Sequence, residues 1–266
     1  MVGPASSSHA VRVTHLGKVF SSRSGETEAL HDVTLDIASG EFLCVVGPSG
    51  CGKTTLLNIL GGLEEPTTGN VEFQTNQSAQ PAVSVIFQEQ GVFPWMTVLD
   101  NAAYGLRVRG VGKAERLRTA VGVLETVGLA GFERHYPTQL SGGMRQRVNI
   151  ARAFANDPQM LLMDEPFASL DEQTKLLLQD DLLHVWETSR KTVMFITHSV
   201  EEAIRLADRI IVMTARPGRI KSEIAVSIPR PRDVFELQTN EDFLRIREQV
   251  WRSLKEEVLA SRSVAV

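Results

Sequence analysis

The sequence predicts an α/β protein built around a parallel sheet, and three observations carry that expectation. Continuous apolar runs at "FLCVV", "AVSVIF", "MLLM", "TVMFI" and "RIIVM" have the pattern of strands buried on both faces. Helical segments separate these runs, which is the alternation of an α/β core. The glycine-rich stretch "GPSGCGKTT" directly follows the first run and precedes a helix, an arrangement suited to holding an anion.

The elements follow in order. Residues 1–10, "MVGPASSSHA", read as a polar leader without the basic and apolar regions of a secretory signal. "VRVTHLGKVF" and "EALHDVTLDI" alternate apolar and polar residues, as half-buried antiparallel strands do. Helices are expected at Lys53 to Leu60, within Lys113 to Val127, and at Met144 to Ala155, Glu172 to Glu187 and Val200 to Leu206. The span 89–156 is helix-rich and reads as a subdomain beside the sheet. Beyond Ile228 the prolines and charges of "PRPRD" mark a linker. A helix then starts near Thr239, with Phe243, Ile246, Val250, Trp251, Leu254 and Val258 on one face. That face serves either its own domain or a partner. The expected organisation is a leader (1–10), one domain (11–228), and a linker with a C-terminal helix (229–266).

Composition narrows the function classes. A chain of 266 residues can bury a sizeable core, and its net charge of -4 argues against a nucleic-acid binder. No apolar run approaches the roughly 20 residues that span a bilayer, so the chain is expected to stay in the cytoplasm. The two cysteines, Cys44 and Cys51, fit neither a redox pair nor a zinc site.

Two motifs carry chemistry. In "GPSGCGKT", Gly47, Gly52, Lys53 and Thr54 occupy the fixed places of the pattern G-x-x-x-x-G-K-[ST]. The glycines let backbone N–H groups turn toward phosphate oxygens, Lys53 brings a point charge, and Thr54 offers a hydroxyl to Mg²⁺. In "MLLMDEP" a buried strand ends in Asp164, suited to hold Mg²⁺ directly or through water, and Glu165 follows as a carboxylate able to accept a proton from water. Together these form the Walker pattern of a nucleoside triphosphatase. Cys51, among loop N–H groups and beside Lys53, is expected to favour its thiolate and to be protected from a maleimide by Mg-ATP.

"LSGGMRQR", Leu140 to Arg147, resembles the signature motif of ATP-binding cassette (ABC) ATPases. Other motifs of that family stand in order: Gln88 in "VIFQEQ" for the Q-loop, Ser169, Leu170 and Asp171 in "ASLD" for the D-loop, and His198 in "ITHS" for the switch histidine. The resemblance covers about Val11 to Ile228. It implies a P-loop NTPase fold of the ABC-ATPase type, with a RecA-like parallel-sheet core, an antiparallel β subdomain and a helical subdomain. It also implies ATP and Mg²⁺ as ligands. Lys53 and the backbone of Ser49, Gly50, Cys51, Gly52, Thr54 and Thr55 would bind phosphates, with Gly47 opening the loop. Thr54 and Gln88 would hold Mg²⁺, Asp164 would reach it through water, Glu165 would polarise the attacking water and His198 would contact the γ-phosphate. Ser141, Gly142 and Gly143 would meet the ATP of a second nucleotide-binding subunit, identical or homologous, packed head to tail. Phe20 is either the aromatic that stacks on adenine or a core residue.

The segments "GEFLCVVGPSGCGKTTLL", "VFPWMTVLDNAAYGL" and "ITHSVEEAIRLADRIIVMTARPGRI" are similar to the nitrate, sulfonate and taurine importer group, from which Ser199 departs where relatives often carry aspartate. This implies an ATPase subunit on the cytoplasmic face of the membrane, working with two permease subunits and an extracytoplasmic substrate-binding protein. "GVFPWMT" would then receive a permease helix through Phe93 and Trp95, unless these rings pack inside the helical subdomain. A soluble regulatory ABC ATPase without a permease is the alternative.

Overall fold

The alternating pattern at the N-terminus becomes β1 (His9–Ser22) and β2 (Gly25–Ala38), followed by β3 (Phe42–Val46), α1 (Lys53–Leu60) and β4 (Thr68–Phe73). The chain continues through β5 (Val83–Ile86), α2 (Val98–Ala102), α3 (Tyr104–Val108), α4 (Lys113–Thr126), a 3-10 turn at Pro137–Gln139, α5 (Gly142–Ala155), β6 (Met160–Asp164) and α6 (Glu172–Ser189). It ends with β7 (Thr192–Ile196), α7 (Val200–Leu206), β8 (Arg209–Met213), β9 (Ile220–Ala225), α8 (Val234–Leu237) and α9 (Glu241–Ser263). This computed structural model describes residues 9–23, 25–74, 81–88 and 91–263, with side chains to 259. Most of the expected leader, Ser24, and Glu89 and Gln90 at the start of the helix-rich span lie outside the described residues.

The chain divides into two compact units, Met1–Gln74 with Thr192–Val266, and Thr75–Lys191. In the first, β2, β1 and β4 form an antiparallel sheet in that order. The strands β7, β3 and β8 pair in parallel, and β9 closes the edge of β8 antiparallel. Every residue of β3 and β7 is buried, so their unbroken apolar composition has a packing cause. The registers set Val45 opposite both Ile196 and Ile211, so the loops that follow β3, β7 and β8 leave from one edge.

In the second unit β5 and β6 pair in parallel, with Ile86 opposite Met163. The helices α2, α4 and α5 pack on one another, and α5 also packs on β5 and α6. Two strands escape sequence reading, and each has a reason. β4 reads "TGNVEF", short, glycine-bearing and largely exposed, while in "IKSEIA" of β9 only Ile224 is buried. Edge strands bury too little to impose a clear pattern.

The C-terminal helix buries Phe243, Ile246, Val250 and Leu254 and packs on α7, β8 and β9 of its own unit. Trp251, grouped with that face by periodicity, is half exposed. The linker reading of "PRPRD" misses one anchor, since Arg232 is only 5% exposed and donates to the carbonyls of Ile204, Arg205, Ala207 and Ile228.

Candidate active site

The first unit carries the glycine-rich loop. β3 ends at Val46, and the chain turns at once because Gly47 and Gly52 have no room for side chains. A Cβ on Gly47 would lie 2.8 Å from Cys51 Sγ, and one on Gly52 would lie 2.7 Å from the Ala29 carbonyl oxygen. Gly52 also has φ of 100°, in the left-handed region open mainly to glycine. The loop therefore wraps tightly before α1, whose first N–H groups have no intrahelical acceptor and can bind an anion. Ser49, Gly50 and Thr54 are exposed and Thr55 is partly exposed, whereas Lys53 is 7% exposed. Lys53 Nζ donates to the carbonyls of Gly47 at 2.8 Å and Pro48 at 3.0 Å. A buried ammonium held by carbonyl dipoles at the start of a helix is a fit for phosphate.

His198 follows β7 by two residues and is exposed at the edge from which the glycine-rich loop leaves. Its neighbours are fixed: Thr197 Oγ1 bonds the Glu202 carboxylate and accepts the Ser199 N–H at 3.0 Å. Ser199 Oγ accepts the Glu202 N–H at 3.2 Å and so caps α7. Serine and aspartate are both strong N-caps, so either residue suits this helix start. Phe20, on β1 opposite Thr27, is 38% exposed with Lys18 Nζ 4.9 Å from its ring centroid. Its core reading is thereby excluded.

The expectation for Cys51 is overturned. The residue is 1% exposed, and burial pushes its thiol above the ordinary range, outweighing the opposing pull of Lys53. A neutral thiol that reagents cannot reach should react slowly. We expect maleimide to label native protein without nucleotide at least about tenfold more slowly than urea-unfolded protein. Mass spectrometry over time checks this, and equal rates would restore the thiolate reading.

The second unit carries the acidic motif. β6 is buried throughout and ends at Asp164. Because β5 lies parallel beside it, Gln88 and Glu165 follow the same ends of the paired strands, and Gln88 is exposed. Glu165 adopts φ of 44°, an unfavourable value for a residue with a Cβ. Such strain is characteristic of functional positions, and sequence alone gives no sign of it.

At the signature, Ser141 is exposed and caps α5, its Oγ accepting the Met144 N–H at 3.3 Å. The two glycines differ. Gly143 is buried, and a Cβ there would lie 2.7 Å from Thr174 Cγ2 on α6, so its smallness also serves packing within the chain. In the D-loop, Asp171 caps α6 by accepting the Thr174 N–H at 3.0 Å, which holds its carboxyl below the usual range, while Ser169 is exposed.

Sequence reading missed a buried clamp. Asn101 accepts the Phe93 N–H at 2.8 Å, and its Nδ2 donates to the carbonyls of Phe93, Met96 and Thr97 at 3.0 to 3.1 Å. Arg152 lies 5.2 Å from the Phe93 ring and donates to the Gly91 carbonyl at 2.7 Å. An asparagine in "VLDNAAYGL" has no pattern that foretells this role, because its partners are backbone atoms. The loop it pins presents Trp95 at 70% exposure, while the Phe93 ring packs against Tyr104 at a 54° tilt with centroids 4.6 Å apart.

For the implied Mg²⁺, no group of three or more histidine, cysteine, aspartate or glutamate side chains that could hold a metal is found among the described residues. The donors that the family resemblance implies are of another kind, the Thr54 hydroxyl in the first unit and the Gln88 amide and Asp164 carboxylate in the second, of which residues Thr54 and Gln88 are exposed. Hard oxygen donors of this sort suit Mg²⁺ when phosphates complete its shell.

The chain is similar to proteins already known. The family model described as "ABC transporter" matches residues 30–168. An uncharacterized ABC transporter ATP-binding protein of Methanocaldococcus jannaschii is 48% identical over 253 residues, covering 94% of this chain and 93% of that protein. The nitrate import ATP-binding protein of a Synechocystis species is 42% identical over 82% of this chain and 83% of its own length. The taurine import ATP-binding protein of Burkholderia pseudomallei is 46% identical over 80% of this chain and 82% of its own. Among solved structures, a dimeric bacterial ABC transporter cassette has a TM-score of 0.71 at 32% identity, covering 82% of this chain and all of that one. A dimeric cassette in a post-hydrolysis state with ADP and phosphate also scores 0.71, at 33% identity, with the same two coverages. A match over more than half of the sequence, joined to near half identity along almost its whole length, decides membership: this chain belongs to the ABC transporter family as an ATP-hydrolysing cassette with the ABC-ATPase fold.

Proposed function

We propose that the chain is the ATPase subunit of an importer, coupling ATP binding and hydrolysis to the switching of a membrane permease for uptake of a small solute such as nitrate, a sulfonate or taurine. Lys53 and the N–H groups of Ser49 to Thr55 hold the phosphates, and Phe20 offers its exposed face to adenine. Thr54, Gln88 and Asp164 hold Mg²⁺, which when bound neutralises charge on the phosphates. Glu165 accepts a proton from the attacking water, and His198 contacts the γ-phosphate. Ser141 and the α5 N-terminus, with Gly142 and Gly143, meet the ATP of a second subunit. The dimeric cassettes among the solved structures support that pairing. The import names of two relatives support the direction of transport and weigh against a permease-free regulatory role.

The observation that carries coupling is Trp95, an exposed aromatic on a loop pinned by the buried Asn101. A large rigid ring held out to solvent is the kind of residue that anchors an interface. No helix among the described residues is long and apolar enough to cross a membrane, and a peripheral place on the cytoplasmic face fits this reading. Trp95→Ala is expected to keep ATP affinity while reducing recovery of an integral-membrane partner from solubilised membranes about tenfold. Phe93→Ala should instead lower stability by about 2 kcal/mol, since its ring is packed. Failure of the wild-type chain to retain any membrane protein would overturn the reading.

A further inference from the structure

The stretch "ARPGRI" narrows the family resemblance yet has no part in the chemistry above. It forms most of the hairpin between β8 and β9, at the edge from which the phosphate loop leaves. Arg216 Nε and Nη2 both lie 3.3 Å from the carbonyl oxygen of Gly50. A Cβ on Gly218 would fall 2.1 Å from the Cys51 carbonyl oxygen, so hairpin and phosphate loop meet backbone to backbone. Gly218 also donates to the Ala29 carbonyl at 2.9 Å and accepts the His31 N–H at 3.0 Å, wedging the hairpin between that loop and β2.

The other side of the hairpin is gripped by α9. Glu257 Oε2 accepts the Ala215 N–H at 2.8 Å, and its Oε1 accepts from Lys221 Nζ at 2.7 Å. Glu256 also accepts from Lys221 but makes no such bond to the hairpin backbone. One continuous path of hydrogen bonds and covalent chain thus runs from α9 through Glu257, Ala215 and Arg216 to Gly50. The apolar face that seats α9, Phe243 to Leu254, lies on earlier turns of the helix.

Gly50 sits at φ of 73°, where a glycine peptide reorients at little cost. A guanidinium on its outward carbonyl restrains the peptide plane between Gly50 and Cys51 and keeps a positive charge beside the loop. We propose that Arg216 is a positioning residue of the phosphate loop and that Glu257 of the C-terminal helix holds it there, so that α9 sets the affinity for a nucleoside diphosphate or triphosphate. This rests on the reading of Gly47 to Thr55 as the phosphate cradle.

Calorimetric titration of the full chain with ADP tests it. Lys53→Ala should abolish binding, and if it does not, the cradle reading itself falls. Given that loss, Arg216→Ala should weaken ADP about five- to tenfold with an unchanged melting midpoint in the absence of nucleotide, the size expected for a charge-assisted bond. Arg216→Lys, which retains a cationic donor, should recover part of the affinity. Glu257→Ala should match Arg216→Ala, the double variant should lose no more than either single one, and Glu256→Ala should bind as wild type. Arg216 is exposed, so its removal leaves the fold intact. Wild-type affinity in Arg216→Ala or in Glu257→Ala, or losses that multiply in the double variant, would overturn the proposal.

Discussion

Glu165→Gln is expected to reduce ATP hydrolysis by about 10²- to 10⁴-fold while leaving ATP binding intact, the loss typical of removing a general base. Glutamine keeps the size of the side chain and an oxygen that can orient water, but it cannot take up a proton. The phosphate-binding groups are untouched, because Lys53 is held within its own loop by Gly47 and Pro48. If each ATP is clamped between the phosphate loop of one subunit and the Ser141 cap of another, blocked hydrolysis should make a dimer accumulate. Ser141→Arg removes the cap to Met144 and places bulk and positive charge at the α5 N-terminus. Mass in solution with Mg-ATP checks both steps: Glu165→Gln should be dimeric, and Glu165→Gln with Ser141→Arg monomeric. A dimer that survives equally in the double variant would remove the signature turn from the partner's site.

Arg232→Ala is expected to lower stability by about 3 to 5 kcal/mol, because several buried carbonyls lose their donor at once. α7 ends at Leu206, and its last carbonyls have no intrahelical partner. Arg232 supplies one, with Nη1 at 2.7 Å from the carbonyls of both Ile204 and Ala207, while Nε and Nη2 reach Ile228 at 3.0 and 2.7 Å. Burial draws the guanidinium down to about 10, so the charge carries a desolvation cost that these bonds offset. Arg232→Lys keeps charge but loses the planar fork, and should recover less than half of the loss. Urea unfolding measures both variants. A loss below about 1 kcal/mol for Arg232→Ala would mean that water satisfies those carbonyls equally well.

Much of this protein was decided within short stretches of sequence. The unbroken runs of β3, β6 and β7 report burial on both faces, a property each strand carries by itself. The glycine-rich loop, the Asp164–Glu165 pair and the Ser141 cap are local devices, each made by neighbouring residues through backbone geometry and N–H groups, so their order along the chain disclosed the family. The tertiary structure decided what depends on residues far apart. Cys51 beside a lysine reads as a thiolate until packing buries it, and desolvation outweighs the nearby charge. Phe93 and Trp95 stand two apart in one loop, yet only the surroundings built by Asn101, Tyr104 and Arg152 partly cover one and leave the other exposed. Arg232 looks like a linker charge because its carbonyl partners include residues 25 to 28 positions away. Arg216 and Glu257 meet the phosphate loop and its hairpin across still longer separations. Periodicity reports the face on which a residue lies; burial and hydrogen bonding among distant segments arise only when the chain has brought them together.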